Sequence, residues 1–274
     1  MGGAARLEQF GPWVVDRPHP AALGSRGDPD AWAAADLRYD RERGWVGSAA
    51  AREPWPLSID GVTLELRPTE AGQLGVFPEH AAMLSWLRDC VRARSGAGGG
   101  ADAPTVLHLF AATGLVTLAL AGAGASVVHV DAARPTVAWA RRNATLSGLE
   151  NRPVRWIVDD ARAFAEREVR RGRRYAGIVL DPPSYGHGPG AAAWQIERDL
   201  SGLLRTCRSL LDEAGFVLLT AHSEGFGPER LGGELAAGLD TAAGPVETGG
   251  LDLLTPDGRR LGLGSFARLA GRAS

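Results

Sequence analysis

A chain of 274 residues and 28.8 kDa has room for one large domain, or one ordinary domain with a small appendage, and for a substantial core. Its 30 Lys plus Arg against 32 Asp plus Glu leave a formal charge of −2, which excludes a global polyanion-binding surface, so any such site must be local. All of the fixed side-chain cations are arginines, which excludes Schiff-base and P-loop lysine chemistry.

Cys90 and Cys207 lie in helical patterns with no CxxC spacing and no neighbouring histidine pair, so neither a disulfide framework nor a zinc site is expected and no metal is implied. Met1 to Arg6 lacks the apolar core of a signal peptide, and a reducing cytoplasm is the expected compartment.

From Met1 to about Pro78 the chain is rich in Trp, Pro and Gly, and Trp45-Val46 and the alternating Val62-Thr63-Leu64-Glu65-Leu66 predict short antiparallel strands. Residues 1–78 are therefore read as a small β-rich N-terminal region, with Ala31 to Leu37 its one helix-like piece. Phe77-Pro78-Glu79-His80 opens a helix over 79–94 that places Ala82, Trp86, Leu87 and Val91 on one side. Residues 95–104, containing Ser95-Gly96-Ala97-Gly98-Gly99-Gly100-Ala101, precede the first strong strand instead of following it, so they predict a linker and not a phosphate loop.

From Thr105 the order is regular. Strands are expected over Thr105 to Phe110, Ser126 to Val130, Val154 to Val158, Ala176 to Leu180 and Phe216 to Thr220. Helices are expected over Leu115 to Ala121, Pro135 to Ser147, Ala161 to Arg171, Ile196 to Leu211 and about Glu229 to Leu239. Strands alternating with helices imply a parallel sheet with right-handed crossovers, a doubly wound α/β fold. Leu251 to Leu254 and Leu261 to Ala267, around Asp257-Gly258, predict a closing antiparallel hairpin that brings the sheet to seven strands. Between Asp102 and Asp131 no charged side chain occurs, a pattern a membrane span could share. Gly114, Gly122 and Gly124 break it, however, so strand, turn, helix, strand is the reading.

Ligands of open α/β sheets sit at the carboxyl ends of the strands, so the residues after each strand are the candidates. Phe110, Ala111, Ala112, Thr113 and Gly114 are small enough, beyond the aromatic, to admit a ligand close to the backbone ahead of a helix N-terminus. They lack the G-x-G-x-x-G fingerprint of a dinucleotide site. Asp131 stands about twenty residues further on, where a carboxylate can take both ribose hydroxyls. It lies too far ahead of Pro135 to be the natural N-cap of that helix. In Asp159-Asp160-Ala161 one carboxylate can accept from an adenine amino group while the other caps the next helix. The assignment is Asp160 to the adenine and Asp159 to ligand or cap.

The fourth strand end, Asp181-Pro182-Pro183-Ser184-Tyr185, combines a carboxylate with a rigid turn whose carbonyls can accept from an exocyclic amino group and an aromatic face on which an extruded base can stack. Ser184 lacks a G-x-S-x-G elbow, which argues against a hydrolase. His80, Arg198 and His222 are placed for substrate contact. The basic cluster Arg167, Arg170, Arg171, Arg173 and Arg174 ends the helix before the fourth strand, where it complements the helix macrodipole at the edge opposite the ligand.

These segments resemble a class I S-adenosylmethionine-dependent methyltransferase, and more narrowly the bacterial branch that includes 23S rRNA cytosine-C5 and guanine-N7 enzymes. The resemblance is carried by Leu107 to Gly114, His129 to Ala132, Ala138 to Ala144, Val158 to Ala161 and Leu180 to Tyr185, with Gly75 to His80 similar to the segment leading into the catalytic domain. It implies a Rossmann-like methyltransferase sheet over 79–274 and S-adenosyl-L-methionine as cofactor. It puts the ribose on Asp131 and Ala132, the adenine on Asp160 and Ala161, and the methionine on Phe110 to Gly114, with RNA as substrate. Two departures matter. Gly114-Leu115-Val116-Thr117 replaces a stretch with two glycines and a serine. Where cytosine-C5 members carry a cysteine nucleophile, this chain has Thr220-Ala221-His222-Ser223-Glu224. Without a thiol a covalent adduct cannot activate carbon, so a base nitrogen over Asp181, Pro182, Pro183 and Tyr185 is the expected acceptor. The competing readings are a small-molecule or protein methyltransferase and a catalytically silent RNA- or partner-binding protein on the same fold.

Overall fold

The computed structural model describes residues 1–97, 103–186, 193–240 and 245–271. Two compact units emerge, one of Met1–Glu79 with Asp252–Leu263, the other of His80–Leu251 with Gly264–Ser274.

In the first unit β1 (Ala5–Phe10), β2 (Trp13–Pro18), β3 (Leu37–Asp40) and β4 (Gly44–Gly47) form one sheet in that order, with α1 (Pro29–Ala33) between β2 and β3. Helix α1 is shorter than the piece expected from Ala31 to Leu37. The Asp28 side chain caps it through the Ala31 N–H, and Leu37 is fully buried at the start of a strand instead. Strands β5 (Trp55–Ile59) and β6 (Val62–Leu66) make a separate hairpin. Its turn, Asp60-Gly61, has positive φ at both positions, as a two-residue hairpin turn requires, and Val62, Leu64 and Leu66 point inward.

The second unit opens with α2 (Ala81–Ala97), preceded by a 3-10 turn over Pro78–His80. The helix absorbs the first residues of the expected linker; positions 98–102 lie outside the described residues. Next come β7 (Thr105–Leu109), α3 (Leu115–Gly122), β8 (Ser126–Asp131), α4 (Arg134–Leu146), β9 (Val154–Val158), α5 (Ala161–Arg170) and β10 (Tyr175–Leu180). Two short strands, β11 (Tyr185–Gly186) and β12 (Trp194–Gln195), precede α6 (Ile196–Leu210), β13 (Leu211–Ala221), α7 (Pro228–Leu239), β14 (Glu247–Leu254) and β15 (Arg260–Leu269). The seven-stranded sheet has the order β14-β15-β13-β10-β7-β8-β9. Pairing is parallel from β13 through β9, and β15 joins β13 antiparallel, so the doubly wound sheet with a closing antiparallel hairpin is as expected. The charge-free stretch resolves into β7, α3 and β8. Among the described residues no helix is long and apolar enough to cross a membrane.

Chain order reverses between β7 and β10: from β7 the next strand, β8, lies on one side, while β10 lies on the other. A crevice at the carboxyl ends of the strands forms at such a switch point. Strand β10 is buried along its whole length, which explains its unbroken apolar sequence. Beneath it Leu203, Leu204, Leu231 and Leu235 of α6 and α7 pack with Ile178, Leu180, Val217 and Leu219. Burial of each such side chain contributes roughly 1.5–3 kcal/mol and fixes the strand ends that carry the site.

Candidate active site

The turn after β7 is wound by alternating left-handed residues. Phe110, Ala112 and Gly114 have φ of 56, 47 and 93 degrees, respectively. For Phe110 and Ala112 this conformation is unfavourable by about 1–3 kcal/mol each and must be imposed by the surroundings. Asp131, at the end of β8, does part of this: its Oδ2 accepts from the Ala112 N–H and its Oδ1 from the Ala133 N–H, both at 2.9 Å. Burial pushes the Asp131 carboxyl up from its ordinary value, while the Ala133 and Ala112 N–H groups pull it back. Helix α4 begins after Ala133 with no side-chain cap, so Asp131 is free of the capping role and presents an anchored carboxylate. Fully buried Asn143 of α4 donates to the Thr113 carbonyl at 2.8 Å and ties the same turn from the other side.

At the end of β9 the two carboxylates divide their work differently from the sequence reading. Asp160 caps α5, its Oδ1 accepting from Arg162 N and Ala163 N at 3.0 Å each. Asp159 is not the cap: its Oδ1 accepts from the Asp160 N–H at 2.9 Å and its Oδ2 pairs with Arg167. Arg167 thus reaches back to the carboxyl end of the sheet. Arg173 and Arg174 do line a cavity at the opposite edge with the first residues of β7, β8, β9 and β10.

Between these ends lies a cavity of about 230 Å³ lined by Phe110, Asp131, Asp160, Asp181, Pro183 and Trp194, with Ala132, Asp159 and Ala161 also on its wall. Trp194 was not anticipated. Its ring lies 4.9 Å from that of Phe110 at a tilt of 57°, the Arg162 guanidinium carbon stands 5.7 Å from the ring centroid, and its Nε1 donates to the Pro183 carbonyl at 2.7 Å. The turn carbonyl expected to await an exocyclic amino group therefore already has a partner. The sequence did contain a signal, an aromatic directly before the helix that follows the proline turn.

Asp181 closes β10. Its Oδ1 accepts from Thr220 Oγ1 at 2.6 Å, His222 Nε2 lies 3.3 Å from Oδ1, and His80 Nε2 lies 3.5 Å from Oδ2. Burial alone would raise this carboxyl, but His80, His222 and Thr220 together hold it well below the usual carboxylate range. Ser184 hydrogen-bonds Ser223 at 2.7 Å, and Tyr185 is 73 % exposed. Thus His80 and His222 meet at the strand-end carboxylate. Arg198 does not join them, because its guanidinium turns to Asp199 at 2.8 Å and to the Ala193 carbonyl. Neither cysteine is at a strand end: Cys90 lies in α2 and Cys207 in α6, with thiols pushed by burial up to about 11 and about 12.

Residues 35–246 match the model of a family described as S-adenosylmethionine-dependent methyltransferase. The chain belongs to that family. The methyltransferase is 36% identical over 122 residues to the ribosomal RNA large subunit methyltransferase K/L of Methylococcus capsulatus and 30% identical over 128 residues to the protein of the same name from Syntrophotalea carbinolica. These matches cover 44% and 46% of this chain but only 16% and 18% of those longer proteins. A crystal structure of the S-adenosylmethionine-dependent methyltransferase from Agrobacterium tumefaciens superposes with a TM-score of 0.91 at 35% identity, covering 99% of this chain and 88% of that one. The enzyme uses S-adenosyl-L-methionine, and the strand ends suit it: an anchored carboxylate, a backbone-lined turn and an aromatic wall converge on one cavity.

Proposed function

We propose that this methyltransferase acts on a ring or exocyclic nitrogen of a base in ribosomal RNA, in the cytoplasm. In this reading 79–274 is the catalytic domain, preceded by the β-rich region 1–78. Asp131 and Ala132 hold the ribose, Asp160 and Ala161 the adenine with Asp159 behind them, and Phe110, Ala111, Ala112, Thr113 and Gly114 the methionine end. Asp160 Oδ1 is engaged in capping, and its Oδ2, which faces Arg162 at 3.4 Å, is the oxygen turned away from the helix N–H groups. S-adenosylmethionine, when bound, supplies a methyl group on an electrophilic sulfonium.

The observation that carries the proposal is the ionised Asp181 beside exposed Tyr185 at the end of β10, in a site with no thiol. A ring carbon would need a covalent adduct, for which neither helical cysteine is available. Nitrogen has its own lone pair and needs orientation and somewhere for its proton to go. Asp181, with His80 and His222 against it, orients the nitrogen by accepting a hydrogen bond from its N–H, the proton leaving to solvent; Pro182 and Pro183 make the turn rigid; Tyr185 offers a stacking face; and Ser184 contacts the acceptor. The ribosomal names of the partial relatives support RNA as the substrate class.

Mass spectrometry of rRNA nucleosides from cells with and without the protein tests this. Loss of one N-methylated base is expected. Loss of 5-methylcytosine would overturn the nitrogen assignment, and unchanged rRNA with intact cofactor binding would move the acceptor to a small molecule or a protein.

A further inference from the structure

The His80, Asp181 and His222 cluster asks more of its surroundings than orienting an acceptor does. His80 Nε2 and His222 Nε2 face each other at 3.3 Å, and each lies 3.3–3.5 Å from a carboxylate oxygen of Asp181. The ligand-type atoms of the three residues all lie within 4.8 Å of one another. Two ligands each about 2.0–2.2 Å from one metal ion, at angles between square and tetrahedral, stand about 2.8–3.6 Å apart. The two imidazole nitrogens, 3.3 Å apart, fall in that window, and the carboxylate meets them through different oxygens, Oδ1 at 3.3 Å from His222 and Oδ2 at 3.5 Å from His80.

We propose that His80, Asp181 and His222 bind a divalent transition-metal ion, of the zinc or ferrous type, through two imidazoles and one carboxylate. Imidazole nitrogen favours these ions over magnesium or calcium, which prefer all-oxygen shells. Three protein ligands leave at least one position open, the arrangement of catalytic rather than purely structural sites. The ligands come from distant parts of the sequence, the 3-10 turn before α2 and the ends of β10 and β13, which is why no spacing motif announced them. Thr220, donating to Asp181 Oδ1 at 2.6 Å, supplies the outer hydrogen bond that orients a ligating carboxylate. An ion here would present its open position at the acceptor end, to an acceptor oxygen or to a water whose pKa it lowers toward neutrality. The site rests on the ligand set alone and does not require the acceptor to be RNA.

The test uses the full chain stripped with a chelator and titrated with Zn²⁺ and with Co²⁺, whose visible absorption reports low-coordinate nitrogen and oxygen ligation. One ion per chain is expected. Uptake should weaken at least tenfold in His80→Asn and in His222→Asn and remain unchanged in Cys90→Ser. Thr220→Val should weaken it about 10–100-fold, with Thr220→Ser restoring most of the loss. Retained S-adenosylmethionine binding checks that each variant is folded, and the uptake measurement needs no methyl transfer, so failure of the RNA reading leaves it intact. Absence of saturable uptake, or uptake indifferent to both histidine substitutions, overturns the site. If the variants fail to fold, crystals of the unaltered protein grown with zinc decide it. An anomalous peak about 2.0–2.2 Å from both Nε2 atoms supports the site, and the lack of one overturns it.

Discussion

Asp181 gathers more partners than any other carboxylate at the strand ends, and its substitution should separate transfer from binding. Asp181→Ala is expected to lower methyl transfer by roughly 10²–10⁴-fold while cofactor affinity changes far less; full transfer activity would show that the acceptor lies elsewhere. Asn143 acts on the opposite wall. Asn143→Ala leaves the buried Thr113 carbonyl without its 2.8 Å donor, and a loss of about 1–3 kcal/mol in denaturant unfolding is expected. An unchanged midpoint would mean that the left-handed turn holds itself. Single residues were legible where their chemistry demanded it. Asp131, Asp160 and Asp181 stand out because a carboxylate that ends an apolar strand has few other uses. Trp194 and the exchange of capping between Asp159 and Asp160 were hidden, since which of two adjacent carboxylates turns toward a helix N-terminus depends on backbone geometry and on an arginine eight positions away.

Elements that are apolar throughout declared themselves. β10 is buried on both faces and needs no alternation, and the chain reads Tyr-Ala-Gly-Ile-Val-Leu there, its one polar side-chain group, the Tyr175 hydroxyl, donating to Glu168 at 2.6 Å. Gly177 within it is a packing requirement. A Cβ at that position would stand 2.2 Å from the Phe216 ring, which is itself buried edge-on against Trp86 at 5.9 Å. Gly177→Ala should destabilise by about 1–3 kcal/mol, measured by thermal or denaturant unfolding, and Gly177→Ala with Phe216→Leu should recover part of the loss. No change in the single variant would show that the ring moves aside freely. The strands β1 and β2 escaped notice for the opposite reason. They carry Arg17, buried and paired at 2.6 Å with half-buried Glu8, so their inward positions include charge and the alternation of polar and apolar residues is broken.

At the scale of the molecule, the fold class followed from the alternation of strands with helices, and the switch point between β7 and β10 then located the site. What sequence order could not supply was the meeting of residues that lie far apart in the chain. His80 and His222 are 142 positions apart and converge only because β10 and β13 are neighbours and the turn before α2 ends beside them. Deeper in the sheet, His108 and His129 share the Thr117 hydroxyl at 2.8 and 2.9 Å, and burial pushes His108 down to about 3 and His129 well below its ordinary value. Both are neutral when folded and titrate near 6.5 when unfolded, so below that pH the unfolded chain binds more protons. Their stabilising effect is complete above about pH 6.5 and is lost as pH falls toward 3, at up to about 1.4 kcal/mol per pH unit for each histidine. Unfolding midpoints followed from pH 7 to pH 4 should therefore decline, and His108→Gln with His129→Gln should flatten the profile; an equally steep decline in that variant would assign the acid sensitivity to other groups.

In the proposed enzyme the carboxylates ending successive strands hold S-adenosylmethionine, with Asp131 on the ribose. Calorimetric titration of the cofactor into the unaltered chain and into Asp131→Ala tests it most directly. One site per chain is predicted, weakened about 10–100-fold by the substitution, the loss of hydrogen bonds to a charged acceptor. No binding by the unaltered chain, or equal binding by both, would contradict the account.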